Sequence, residues 1–209
     1  KTYTDVVPGN DRGLSNGTVR SLYRQSPDSI WIGTDGGGIN LFSPHTEKFT
    51  HYSSTWGDKV AFISGFTPGK LLISLFSKGV FVFNPATGEK QPFTIIDKET
   101  TTRLCNRGKS VNLYQNTPNT VLFLGDHIYQ YHLKEKKFST ITEEEGKDIV
   151  GTLVPFDHQE NLTYINDIKH IYELDDQTSR LKTVFECYTD TVISSVSHDE
   201  QGHFWIGSN

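Results

Sequence analysis

IWIGTDGGGINLF, Ile30–Phe42, decides the fold. It reads as two short strands joined by a glycine-rich loop. Ile30, Trp31 and Ile32 are apolar and strand-prone. Gly36, Gly37 and Gly38 admit backbone angles closed to other residues. Ile39, Leu41 and Phe42 resume the strand pattern. The chain then writes the unit again. FWIGSN closes it at Phe204–Asn209, and LLIS, LFLG and TYIN, at Leu71–Ser74, Leu122–Gly125 and Thr163–Asn166, are degraded copies. The residues at the Trp31 position become Trp31, Leu72, Phe123, Tyr164 and Trp205, spaced by 41, 51, 41 and 41 residues. The longer spacing is met by an insertion in the polar stretch DKETTTRLCNRG, Asp97–Gly108.

Around each copy the same punctuation recurs. GLSNG at Gly13–Gly17 leads into Val19, Ser21 and Tyr23, which alternate as a strand. SPDS at Ser26–Ser29 is a tight turn, and SPHTEK at Ser43–Lys48 is another, matched by NPATGEK at Asn84–Lys90. Four short antiparallel strands fall in about forty residues, with no helical period. A repeat near 41 residues with four strands each is the signature of propeller blades. An ordinary β-sandwich has no reason to repeat one tetrapeptide in phase. The expected fold is therefore an all-β propeller fragment, with blades at about 13–52, 57–95, 108–141 and 148–186 and a partial fifth at 191–209.

Composition bounds the function. The 209 residues carry a net charge of −5, which disfavours a nucleic-acid surface, since phosphate binding needs clustered Lys and Arg. No apolar run approaches membrane-span length, so no membrane contact is expected in this region. The absence of Met reads as the mark of an excised piece. Cys105 and Cys187 are far apart and lack metal spacing; they are expected not to bridge, and no cofactor or metal is expected.

GLSNGTVRSLYRQSPDSIWIGTDGGGINLFSPHTEKFTHY, Gly13–Tyr52, closely resembles the two-component regulator propeller repeat. ISSVSHDEQGHFWIG, Ile193–Gly207, matches its first half. The middle copies keep only the apolar skeleton. The resemblance implies the extracytoplasmic, periplasmic sensor part of a bacterial hybrid two-component system, with an oligosaccharide ligand. It also implies a second propeller, and a histidine kinase outside this chain. Parent rings of about seven blades would make this chain an open arc. Its end faces, with Phe204 and Trp205, would then drive association, so a homodimer is expected.

In a propeller, the loop between the second and third strands shares a rim with the connections between blades. Loops on a rigid scaffold are where function concentrates. The rim would gather Thr34–Gly37, Leu75–Lys78, Asp126 with His127, Asn166–Lys169 and Ser208, together with the lead-ins around Leu14–Gly17 and Trp56–Asp58. Sugar recognition wants polar groups matched to hydroxyls and an aromatic plate for the ring's apolar face. Asp35, Trp56, Asp126, His127 and Asn166 are the candidate ligand-binding residues; the plain alternative for each is a solvated loop residue.

Other tempting features read as structural. Trp31 and Trp205 are packing residues, because a binding platform would not degrade to Leu72. The Gly36–Gly38 run lacks the helix and Lys of a phosphate cradle. Asp199 with Gly202 resembles an Asp-box of sialidase propellers and reads as a hairpin turn. The sequons at Asn16 and Asn161 are chance matches. No carboxylate pair is arranged as acid and base for glycoside hydrolysis, so no catalytic residue is named. A carbohydrate-active propeller enzyme and a protein-interaction scaffold remain the alternatives to a sensor.

Overall fold

The computed structural model describes residues 11–55, 57–93, 111–125, 127–142, 153–159, 162–188 and 192–208, the side chains of 157–159 excepted. The insertion at Asp97–Gly108, Cys105 included, lies outside the described residues, as does the start of the chain. The chain divides into two compact units, Lys1–Leu113 and Tyr114–Asn209.

The fold is that of a β-propeller: four four-stranded antiparallel sheets and a two-stranded fifth, each with its strands in sequence order. The first sheet holds β1 (Val19–Ser26), β2 (Ser29–Thr34), β3 (Ile39–Ser43) and β4 (Lys48–His51); the second holds β5 (Val60–Gly65), β6 (Leu71–Leu75), β7 (Gly79–Asn84) and β8 (Glu89–Pro92). Then come β9 (Asn112–Thr117), β10 (Thr120–Leu124), β11 (Ile128–His132) and β12 (Lys137–Ile141), and β13 (Val154–Gln159), β14 (Leu162–Asn166), β15 (His170–Asp175) and β16 (Arg180–Glu186). The last pair is β17 (Ile193–His198) and β18 (Phe204–Ser208).

Each unit has its own core. In the first, Trp31 and Ile39 pack on Val60, Ile63, Leu71, Ile73, Leu75 and Phe83. Because strand side chains alternate between faces, Leu71, Ile73 and Leu75 turn one face of β6 toward the first sheet. The Trp31 ring is 2% exposed and lies 5.6 Å from the Tyr52 ring and 6.2 Å from Phe83, edge-on to the latter. Trp31 is thus the packing residue its degraded copies imply. In the second unit, Leu122, Leu124, Ile128 and Ile141 pack on Leu153, Ile165, Tyr172, Leu174 and Leu181. Tyr164 turns the other way and meets Phe204 at 5.6 Å and His198 at 4.9 Å.

One equivalence read from the sequence is corrected. All five Trp31-type residues sit on second strands. Phe123, however, lies between Leu122 and Leu124, and packs on Phe138 at 5.2 Å and Tyr131 within its own sheet. Leu122, not Phe123, faces the following sheet as Trp31 and Tyr164 do. Counting from the preceding two-residue turns explains it. Leu122, like Trp31 and Tyr164, is third in its strand after that turn. A slip of one residue exchanges the faces of a strand.

The turn between third and fourth strands is built the same way four times. Its last residue is left-handed in every sheet: Glu47 (φ 56°), Gly88 (φ 71°), Lys136 (φ 54°) and Ser179 (φ 57°). The amides of Gly88, Lys136 and Ser179 each donate at 2.8 Å to the carbonyl four residues back. Only the second copy uses glycine. Lys136→Gly is therefore expected to raise stability by about 0.5–1 kcal/mol, the left-handed strain relieved minus the glycine's unfolded-state entropy, read from urea denaturation. Gly38 is held by a different constraint. Its φ is +72°, and a Cβ there would collide with the Thr55 hydroxyl and backbone, whereas Gly69 (φ +75°) faces open space. Gly69→Ala should cost about 1–2 kcal/mol of strain. Gly38→Ala should cost a further 1–3 kcal/mol or so by the same measurement, from overpacking.

Candidate functional site: a rim pocket beside Asp35

The β2–β3 loop of the first unit is tied on all sides. Asp35 donates its amide to Thr18 O at 2.9 Å and forms an isolated bridge with Lys59, at the lead-in to β5. Gly36 and Gly38 donate to Asp58 O, and Gly57 donates to Gly36 O at 2.8 Å. The GLS opening joins the same knot. Ser15 Oγ donates to Gly37 O at 2.7 Å, and the Ser15 amide donates to Asn40 Oδ1 at 3.0 Å. The glycine run is thus a tight connection on which two lead-ins are seated.

Side chains on this knot carry charge. Arg20 Nε donates to Asp35 Oδ2 at 3.2 Å, with Nη2 on the same oxygen. Lys59 Nζ lies 3.3 Å from Oδ1, which satisfies that oxygen as an ion pair although no well-aligned hydrogen bond reaches it. First the Arg20 hydrogen bond and then Lys59 hold the Asp35 carboxyl below the usual aspartate range. A second carboxylate, Asp58, is buried and bound by Lys78 at 2.8 Å and by Lys90.

Arg20 reaches the rim because of a β-bulge. Val19 pairs with Thr34 and Ser21 with Gly33, so Arg20 is the extra residue. The second sheet repeats this: Val60 pairs with Leu75 and Phe62 with Ser74, leaving Ala61 as the extra residue. The fifth repeats it at Ser194. Bulges bend a strand and re-aim a side chain. A pocket of about 210 Å³ opens where the first two bulges meet, lined by Arg20, Lys59, Val60, Ala61, Phe62 and Phe76. Phe76, from the Leu75–Lys78 loop, is 48% exposed.

Of the residues proposed from the sequence, Asp35 borders this pocket through Arg20 and Lys59. Trp56 and Asp126 lie outside the described residues. His127 belongs to the second unit; it is exposed, its ring 6.1 Å from that of Tyr129. Asn166 is 9% exposed, and its amide donates to Asp167 O at 3.0 Å, so it serves its own loop. Sequence reasoning missed Arg20 and Lys59, whose convergence depends on the bulge. Phe76 carried a signal, as an aromatic residue beside Lys78 in a segment already assigned to the rim.

The second unit holds two buried polar networks. Asp167 Oδ1 accepts the amides of Lys169 and His170, each at 2.7 Å. Asp167 Oδ2 accepts the Tyr172 hydroxyl at 2.8 Å and stands 3.1 Å from His170 Nδ1. Asp176 accepts Asn116 Nδ2 at 2.7 Å and the Thr163 hydroxyl at 2.9 Å. At the chain's last hairpin, Asp199 Oδ1 accepts the amides of Gln201 and His203, both at 2.9 Å. Its Oδ2 accepts Trp205 Nε1 at 3.0 Å, so Asp199 holds together the hairpin turn read from the sequence. These bonds, the His203 amide first, lower the Asp199 carboxyl well below the usual range. Among the described residues, no group of three or more His, Cys, Asp or Glu could hold a metal ion, and no helix is long and apolar enough to cross a membrane.

Residues 13–36 match the two component regulator propeller family. The solved structures it resembles include two extracellular domains assigned to hybrid two component systems of B. thetaiotaomicron. With BT3049 the TM-score is 0.70 at 15% identity, over 100% of this chain and 28% of that one. With BT4673 it is 0.64 at 13% identity, over 91% and 25%. The WD40 repeats of RRP9 give 0.56 at 10% identity, over 80% and 51%. At these identities the likeness is one of fold, and the chain spans about a quarter of the two-component domains it resembles. No curated protein matches the chain.

The order of causes at Asp35 sets a test. A folded-state pKa below the unfolded one means stability that is present above the ordinary carboxylate pKa, roughly 4, and lost as pH falls through the folded value. Carboxyl ¹³C titration should therefore place the Asp35 and Asp199 midpoints below that value. Arg20→Gln should raise the Asp35 midpoint more than Lys59→Gln does, and neither should move that of Asp199.

Proposed function

We propose that this chain is part of the ligand-sensing propeller of a bacterial hybrid two-component sensor, and that the rim pocket beside Asp35 receives an oligosaccharide. The repeat at residues 13–36 and the fold shared with extracellular domains of such systems support the sensor part. The observation that carries the binding part is the pocket itself. Rigid strands flank it, an exposed Phe76 forms one wall, and fixed hydrogen-bond donors stand at its edge. Carbohydrate sites combine those two elements, an aromatic face and a few placed polar groups.

In this reading the Asp35 carboxylate positions Arg20 and Lys59 rather than meeting the sugar itself. Trp56, Asp126 and the exposed His127 remain candidate contacts. Asn166 holds its own turn. The chain acts in the periplasm as the extracytoplasmic part of a membrane sensor and catalyses nothing. The signal passes to a histidine kinase outside this chain, through neighbouring blades, a second propeller and a homodimer. Trp205 is 65% exposed where its counterpart Trp31 is covered, which supports a further contact on that face.

Calorimetric titration with a panel of di- and trisaccharides should give saturable binding without turnover. Phe76→Ala should weaken it roughly three- to tenfold, the worth of one aromatic contact. Release of reducing sugar, abolished by a single carboxylate substitution, would establish the enzyme reading instead.

A further inference from the structure

The pocket has a charge sign, and this argument rests on its reading as a ligand site. Its lining holds two ionisable side chains, Arg20 and Lys59, and both are cations; the other four residues are apolar. Asp35 holds the pair from behind without lining the pocket. On the same rim Asp58 is bound by Lys78 and Lys90. Four cations thus meet two carboxylates in a chain whose net charge is −5. A local excess of positive charge against an acidic background focuses anions.

The geometry of Arg20 sharpens this. Asp35 is bound through Nε and Nη2, both on the single oxygen Oδ2. Nη1 is not engaged by that carboxylate, and the side chain remains 51% exposed. Lys59 is 62% exposed on the other oxygen. Asp35 therefore fixes two cationic donors in place while leaving N–H groups pointed elsewhere, the arrangement that suits a carboxylate or sulfate arriving from solvent. The volume, about 210 Å³, falls below the roughly 300–1,000 Å³ of pockets for drug-sized ligands. A chain end fits it better than the middle of an oligosaccharide.

We propose that the rim pocket recognises the acidic end of a saccharide. A uronate carboxylate or a sulfate ester sits between Arg20 and Lys59, and the apolar face of the same sugar ring lies on Phe76. Arg20 and Lys59 determine the preference for charge, and Phe76 supplies affinity common to charged and neutral sugars.

The test is calorimetry on the whole chain with matched ligands: digalacturonate against the neutral galactobiose, galactose 6-sulfate against galactose, and inorganic sulfate alone. Charge-assisted hydrogen bonds predict roughly ten- to hundredfold tighter binding of the acidic member of at least one pair. That ratio should shrink as salt rises. Arg20→Gln and Lys59→Gln should each reduce it toward one. Phe76→Ala should weaken both members alike, and Arg24→Gln, an exposed change outside the lining, should alter neither. Arg20→Lys keeps the charge without the fork and should lose part of the ratio, which serves if Arg20→Gln fails to fold. Uronate preference alone assigns a carboxylate ligand, and sulfate preference alone a sulfated one. Equal binding of acidic and neutral members overturns this inference and leaves the sensor reading standing. Inorganic sulfate binding as tightly as the saccharides overturns the sugar part. If none of these binds but the neutral panel does, the charge reading fails alone; if nothing binds in either set, the ligand site itself is refuted.

Discussion

The seam of the first unit is built on a cluster of three mutually touching rings, Trp31, Tyr52 and Phe83. Sheets that are apolar on both faces must bury each face against a neighbour, and a large flat ring covers the most area for the fewest torsions. Its single polar atom has to be satisfied meanwhile. Trp31 Nε1 donates to Gln25 Oε1 at 2.8 Å, six residues upstream. Trp205 Nε1 donates to Asp199 Oδ2, also six residues upstream. The acceptor comes from the end of β1 in the first copy and from the hairpin turn in the last, and in the first the ring's faces are left to the neighbouring side chains. Where the Trp is replaced, by Leu72 or Leu122, the need for an upstream acceptor disappears as well.

That seam positions the site. Because β2 and β5 are locked through Trp31, Val60, Ile63 and Phe83, the loops leaving them have fixed ends. The β2–β3 loop can then be short and glycine-rich, closed by the Thr34 amide on Gly38 O and seated on Asp58 and Ser15. The bulge residues Arg20 and Ala61 come to the same place because they occupy the same register position in adjacent sheets of this unit. A repeat architecture generates such a meeting without any residue being selected for it. What is particular to this chain is the chemistry placed there: Arg at one bulge, Ala at the other, and Phe76 in the neighbouring loop.

The sequence made the strands and their order legible, since turn chemistry and alternation are local properties. It also placed Trp31 correctly as a packing residue, from its degraded copies. It misled at Phe123, where LFLG looks like IWIG but the face is decided by the position counted from the preceding turn, which Leu122 shares with Trp31. The site was legible in outline only. Asp35 and the Leu75–Lys78 loop could be assigned to a rim from strand direction. Arg20 could not, because a bulge is a property of the pairing between two strands. Asn166 looked like an exposed loop amide, yet it is buried against Asp167, whose carboxylate gathers the turn around itself.

The two rim carboxylates illustrate why similar ion pairs differ in consequence. Asp58 has 3% of its side chain exposed and sits beneath the glycine loop, so losing Lys78 and Lys90 together would strand a buried charge, which is strongly unfavourable. Asp35 keeps 17% exposure, and its partners are more than half in solvent. Pairs of that kind contribute little net stability, because water and salt screen them and two long side chains must be ordered. Substituting Arg20 or Lys59 should therefore leave the sheets intact. The carboxylate under the loop thus holds the backbone, and the one at its edge holds only the side chains around it.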